Sequence, residues 1–186
     1  MIQRTHDLAA VALVSYYFLT NPPPSLTWET LLGIGVATFI GGIIPDIDNV
    51  ASPAWKHKLT PWEGKISRDF LEGHRHLSHS ILGILLFTWV LGLLLKTIVL
   101  SHVDSHLVET AFFLGQLSHL FADTVTIEGV PWLYPIPFKF GIPPFKFMRI
   151  RTGGWVEKII IFPLLLLFTV WIYYTHHATI AAFLKI

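Results

Sequence analysis

Eight side chains that bind metal ions well, four imidazoles and four carboxylates, fall in five short segments of this 186-residue chain. His6 precedes a first apolar run. Asp46 and Asp48 close a second, in Ile44-Pro45-Asp46-Ile47-Asp48, and His74 and His79 open a third, in His74-Arg75-His76-Leu77-Ser78-His79. His119 and Asp123 lie near the end of a fourth run, and Glu157 opens a fifth. Neutral imidazole suits zinc and other first-row ions, and carboxylates suit those and harder ions. His119 and Asp123 are four residues apart, so on a helix they share a face and can grip one ion. Alone, that pair is a weak signal, since a helix-end histidine beside a solvated aspartate looks the same. Asp123, however, follows a run with Leu114, Leu117, Leu120 and Phe121, where an unpaired carboxylate is costly. Asp46 and Asp48 flank one isoleucine and point the same way if extended, where they repel unless a cation or proton lies between them. The plainer reading of that pair is an aspartate turn ending a helix. Taken together the donors exceed the needs of one tetrahedral ion and suit two ions bridged by a carboxylate, with some members orienting the imidazoles instead.

The elements that carry these donors explain why they could meet. If the apolar runs cross a membrane in turn, odd helices start at the face where even helices end, and every donor reaches one side. Composition favours a membrane: 53% of residues are hydrophobic and 13% charged, about half the globular norm of roughly 25%. Mean hydropathy is +0.59. Residues 81–95 carry no charge, and with 97–100 the run approaches the ~20 residues that span ~30 Å of hydrocarbon. Residues 159–174 are almost as pure, whereas 31–45, 107–122 and 8–20 are shorter or more mixed. A soluble all-α protein with buried core helices would leave too little polar surface for five such runs. The expectation is one domain over residues 1–186, an all-α integral membrane bundle of about five transmembrane helices.

Eleven of the 13 lysines and arginines fall on the donor side, leaving Lys96 and Lys185 on the other. The positive-inside bias then puts the N-terminus in, the C-terminus out and the donor site facing the cytoplasm, in the cell's inner membrane. Residues after the first run, Tyr16 to Pro22, offer no small-x-small cleavage pattern, so that helix is read as retained. The two long inner connections, about 49–73 and 124–156, hold most of the charge, and connections that long usually carry function. The second is rich in proline and aromatics, with Pro131, Trp132, Tyr134 and Pro135, then Pro143-Pro144-Phe145. It reads equally as a lid or lipid-facing wall beside the site or as an interfacial anchor. The chain has no cysteine, so disulfides and thiolate sites do not arise.

Read in order, Ile44-Pro45-Asp46-Ile47-Asp48, Gly73-His74-Arg75-x-x-Ser78-His79-Ser80, Gly115-x-x-Ser118-His119-Leu120-x-x-Asp123 and the later Thr126-x-x-Gly129-Val130-Pro131, Arg151-Thr152-Gly153 and Glu157 resemble the YdjM-like family. That family is described as inner-membrane proteins predicted to be metal-dependent hydrolases, and the resemblance covers most of the chain from His6 onward. It extends distantly to zinc-dependent phospholipase C, which builds a polynuclear site from helix-borne His, Asp and Glu. The chain departs at His76, where the family carries a small residue; His76 is either an extra ligand or a polar neighbour.

These readings combine into one expectation. A divalent metal, zinc and as many as two ions, is held by His6, Asp46, Asp48, His74, His79, His119 and Asp123. Glu157 serves as a ligand or general base, and Arg75 steadies an anionic group, with Arg149 or Arg151 as further candidates for phosphate. The chain hydrolyses a phosphoester or lipid-like substrate with a metal-activated water, its partners are membrane lipids, and no nucleic acid is involved. The rival is a non-enzymatic divalent-metal carrier with the same ligands. A serine hydrolase using Ser78 or Ser118 ranks last, since no Gly-x-Ser-x-Gly elbow is present.

Overall fold

The computed structural model describes residues 1–48, 77–97, 102–136 and 138–183, with 47 and 48 described by backbone alone. Among the described residues six α-helices follow in order: α1 (Gln3–Thr20), α2 (Trp28–Ile43), α3 (Ile81–Thr97), α4 (Ser105–Thr124), α5 (Phe162–Thr175) and α6 (His177–Phe183). A 3-10 turn, Ile44–Asp48, extends α2, and a π turn, Glu157–Ile161, leads into α5. Among the described residues there is no strand, only isolated bridges pairing Thr126 with Ile150 and Val130 with Phe140. The all-α class and the five apolar runs expected from the sequence are therefore present as helices.

Local chemistry sets the helix starts. The Thr27 hydroxyl accepts the Thr30 N–H at 3.2 Å at the head of α2, and Asp104 accepts the N–H groups of His106 and Leu107 at 3.0 and 3.2 Å at the head of α4. The two caps are stitched together: Asp104 N–H donates to the Thr30 hydroxyl at 2.9 Å, and the Thr27 hydroxyl donates to the His102 carbonyl at 2.7 Å. α2 and α4 thus start at one end and finish together at the other, where α1, α3 and the π turn begin. Asp46 and Asp123 arrive at that far end on outgoing helices, and His6, His79 and Glu157 stand where others begin.

α4 packs against α1, α2 and α3, and α1 packs against α2, α4 and α5. The outer helices show large apolar side chains, with Leu32 on α2, Trp89 on α3 and Leu167 on α5 all more than 60% exposed. Continuous apolar surface of this kind marks a face that something apolar covers. Trp28–Asp46 and Glu157–Thr175, 19 residues each, are long and apolar enough to cross a membrane, and Ile81–Thr97 is apolar but shorter. α1 and α4 are more polar because they lie inside, carrying His6, Gln116, His119 and Asp123 in buried positions. Away from the polar end, Val14, Phe18, Leu26, Ile34, Ala37, Val108, Ala111 and Phe112 form the main apolar core.

α2 and α4 touch backbone to backbone. A Cβ on Gly41 would strike the Phe112 carbonyl, and one on Gly115 would stand 2.7 Å from the Thr38 carbonyl oxygen. Small residues permit this approach between apolar helices. Gly115→Leu should push the pair apart; at about 1–3 kcal/mol for overpacking, the melting temperature of the detergent-solubilised protein falls by roughly 2–12 °C. Gly35→Leu is the control, because nothing lies within 4 Å of a Cβ there. Equal melting temperatures for the two variants would contradict the close seam.

Candidate metal centre

Five of the expected donors meet at the far end of the bundle. His6, His79, His119 and Asp123 are at most 1% exposed, and Asp46 is 21% exposed. His6 Nε2 lies 3.3 Å from Asp123 Oδ1, and His79 Nε2 lies 3.6 Å from Asp46 Oδ1 and 3.8 Å from Asp123 Oδ2. His119 Nε2 lies 3.8 Å from Asp46 Oδ1 and 3.9 Å from Asp123 Oδ2. The donor atoms of His6, Asp46 and His119 all lie within 4.8 Å of one another, and so do those of His79, His119 and Asp123. Donors held 2.0–2.1 Å from zinc at the corners of a tetrahedron stand about 3.4 Å apart. The observed imidazole–carboxylate separations sit at and just above that edge length.

The glycine seam prepares the central ligand. His119 Nδ1 is 2.7 Å from the Gly42 carbonyl, in the last turn of α2, where helix carbonyls lack intrahelical partners. A carbonyl can only accept, so Nδ1 carries the proton and Nε2 is left with a lone pair turned into the cluster. Nε2 is fully buried and has no hydrogen-bond partner among the described residues; His6 Nδ1 is in the same condition. Buried polar atoms without partners are rare, and an imidazole whose other nitrogen is fixed by a backbone carbonyl is the usual form of a metal ligand. His6 stacks on His119 with ring centroids 3.7 Å apart and planes 7° from parallel, and His79 meets His119 edge-on at 5.3 Å. The Ser78 hydroxyl lies 3.1 Å from His79 Nδ1, giving that ring its own orienting contact. The Met1 ammonium rests on Asp123 Oδ1, so a cation already lies against this carboxylate.

The two donor trios share His119, which has a single nitrogen to offer. These five residues could hold a metal ion. A second ion would need Asp48 and His74. Asp48 ends the 3-10 turn with only its backbone described, and His74, Arg75 and His76 lie outside the described residues.

Two of the expected residues make backbone hydrogen bonds away from the donor trios. Glu157 is buried, but one carboxylate oxygen accepts the Ile2 N–H and the other the Gly153 N–H, each at 2.7 Å, and it belongs to neither donor trio. Its charge is spent holding the chain that precedes His6: Ile2 in turn accepts the Thr5 and His6 N–H groups at 3.0 and 3.3 Å. The residue expected as ligand or general base thus stands outside both donor trios and is bonded to the chain at the start of α1. Arg149 likewise does not face an anion. Its guanidinium donates to the carbonyls of Pro143 at 2.7 Å, Pro144 at 2.9 Å and Ile127 at 3.4 Å. The sequence reading also missed Thr88 and Gln116, which bond across α3 and α4 at 3.0 Å. Polar residues amid the apolar runs were the available signal.

Glu157→Ala leaves two N–H groups without an acceptor, at about 1–3 kcal/mol each. Amide exchange at residues 2–6 should then quicken at least ~10-fold, read by hydrogen–deuterium mass spectrometry. Unchanged protection in that peptide would show that Glu157 does not hold the start of α1.

A family model described as "YdjM inner membrane protein" matches residues 1–181. The inner membrane protein YdjM of Escherichia coli (strain K12) is 30% identical over 165 residues, covering 86% of this chain and 77% of that protein. The uncharacterized protein YvsG of Bacillus subtilis (strain 168) is 23% identical over 180 residues, covering 95% of this chain and 98% of its own length. No solved structure gives a significant match.

Proposed function

This chain belongs to the YdjM inner membrane protein family, and from that membership and the donor geometry we propose a membrane-bound, zinc-dependent hydrolase of phosphoester or lipid-like substrates. The observation that carries the reading is the buried His119 Nε2, which lacks a hydrogen-bond partner and faces Asp46 and Asp123 at 3.8 and 3.9 Å. His6, Asp46, His79, His119 and Asp123 hold the ion, and Asp48 and His74 are the residues to extend the site to a second. Zinc bound there supplies Lewis acidity and an acidified water. The chain's own part is to keep three imidazoles and two carboxylates preorganised at one end of the bundle, with Gly42 and Ser78 fixing two of the rings. Arg75, beside His74 in sequence, is the cation suited to steady a phosphate.

The reading includes five spans with the N-terminus inside, the C-terminus outside and the site at the cytoplasmic face. Its support is the lysine and arginine bias in the sequence, together with helices that all bring their donors to one end of the bundle. A non-enzymatic divalent-metal carrier is the second reading, favoured by one observation: Gln116 Oε1, midway along α4, is buried without a hydrogen-bond partner. A carrier needs a polar path through to the other face. The middles of α3 and α5 carry no ionisable residue, which favours chemistry at one end.

His119→Ala and Asp123→Asn should each remove zinc from the purified protein and lower phosphoester or lipid hydrolysis by more than ~100-fold, beyond the 10–100-fold typical of outer-shell changes. Activity that survives chelation and both substitutions would refute metal dependence at this site, and zinc flux into vesicles without turnover would establish the carrier. The absence of native cysteine makes orientation directly readable. Gln3→Cys, at the site end, should react with an impermeant maleimide only from the cytoplasm, and Ser25→Cys only from outside. The reverse pattern would overturn the topology.

A further inference from the structure

The connection over residues 125–156 is tied down along its length. Ile127 N–H donates to the Ile150 carbonyl at 3.1 Å, Val130 and Phe140 exchange both N–H groups at 2.7 and 2.8 Å, and Ile142 N–H reaches the Thr124 carbonyl at 2.9 Å. Ile81 N–H donates to the Trp132 carbonyl at 3.0 Å, and Trp132 Nε1–H donates to the Thr124 hydroxyl at 2.8 Å. These bonds join the platform to α3 beside His79 and to α4 beside Asp123. With Arg149 clasping three carbonyls from within, the segment is built as a fixed shelf rather than a swinging lid.

Its outward face is apolar and cationic. Phe138, Ile142, Phe145, Phe147 and Met148 are all more than half exposed, Phe147 at 85%. Lys139, Lys146 and Arg151 are exposed among them. Residues 129–156 contain three such cations and Arg149 but no aspartate or glutamate. A rigid crest of aromatic side chains is poorly suited to water. Apolar rings with long cationic side chains at their border suit the acyl–headgroup boundary, where the rings enter hydrocarbon and the ammonium and guanidinium groups reach phosphates.

We infer that this shelf docks on anionic phospholipid headgroups of the bilayer that holds the helices, with Phe145, Phe147 and Met148 seated below the phosphates and Lys139, Lys146 and Arg151 paired to them. The shelf's bonds to α3 and α4 then register the donor cluster against the headgroup layer. This inference concerns a lipid contact and does not require that the centre be catalytic, so it can fail or stand separately from the hydrolase reading.

The test uses the full chain with Phe147→Cys, its sole cysteine, carrying an environment-sensitive fluorophore. The protein is placed in nanodiscs of phosphatidylcholine with about 25% phosphatidylglycerol. The expected result is quenching by nitroxides placed just below the headgroups and protection from aqueous iodide. Phosphatidylglycerol should be enriched among lipids retained through delipidation, measured by mass spectrometry. Lys139→Glu with Lys146→Glu should reduce that enrichment about fivefold per cation, while Lys139→Arg with Lys146→Arg retains it. Iodide access equal to that of a free fluorophore would overturn the inference. So would equal retention of both lipids by the parent protein, or protection of position 147 through cross-links to a second copy.

Discussion

The bond from His119 Nδ1 to the Gly42 carbonyl, 2.7 Å long, is the constraint on which the polar end of the molecule depends. It exists because Gly41 and Gly115 let α2 and α4 meet backbone to backbone. It selects one tautomer of His119 and aims the remaining lone pair at Asp46 and Asp123. Side chains on those glycines would separate the helices, and the imidazole would lose its fixed partner before any ligand was changed. A packing feature of the apolar interior therefore sets the chemistry at the helix ends.

Burial raises the stakes of that arrangement. Three imidazoles and an aspartate at 1% exposure or less are expensive to keep in an apolar bundle unless something satisfies them. The bundle meets part of the demand internally: the Ser78 hydroxyl for His79, the Gly42 carbonyl for His119, and His6 and the Met1 ammonium for Asp123. It leaves His119 Nε2 and His6 Nδ1 without hydrogen-bond partners. A cation among the carboxylates would answer both the charge and the open lone pair of His119. Glu157 contributes by a different route, anchoring the chain before His6 with both oxygens.

Much of this was readable from residue types and order. Alternating helix direction, inferred from apolar runs, was enough to bring His6, Asp46, His79, His119 and Asp123 to one end. Three features escaped for physical reasons. Glu157 and Arg149 carry the right charge for chemistry, yet each is hydrogen-bonded to backbone groups, Ile2 for Glu157 and Ile127 for Arg149 among them, and no spacing rule announces such long-range partners. The sharing of His119 by both donor trios is visible only in three dimensions. α1 and α4 fall short as long apolar spans because they supply the buried polar groups, a consequence of their place in the middle of the bundle rather than of local pattern.

The central claim is that an ion bound by imidazole and carboxylate belongs in this cluster. X-ray absorption at the zinc edge, on protein purified without added metal and counted for zinc per chain, tests it most directly. The account predicts at least one zinc per chain with only nitrogen and oxygen neighbours near 2.0–2.1 Å and the outer-shell scattering of two or three imidazoles. A chain that retains no zinc, or a spectrum lacking imidazole scattering, would contradict it.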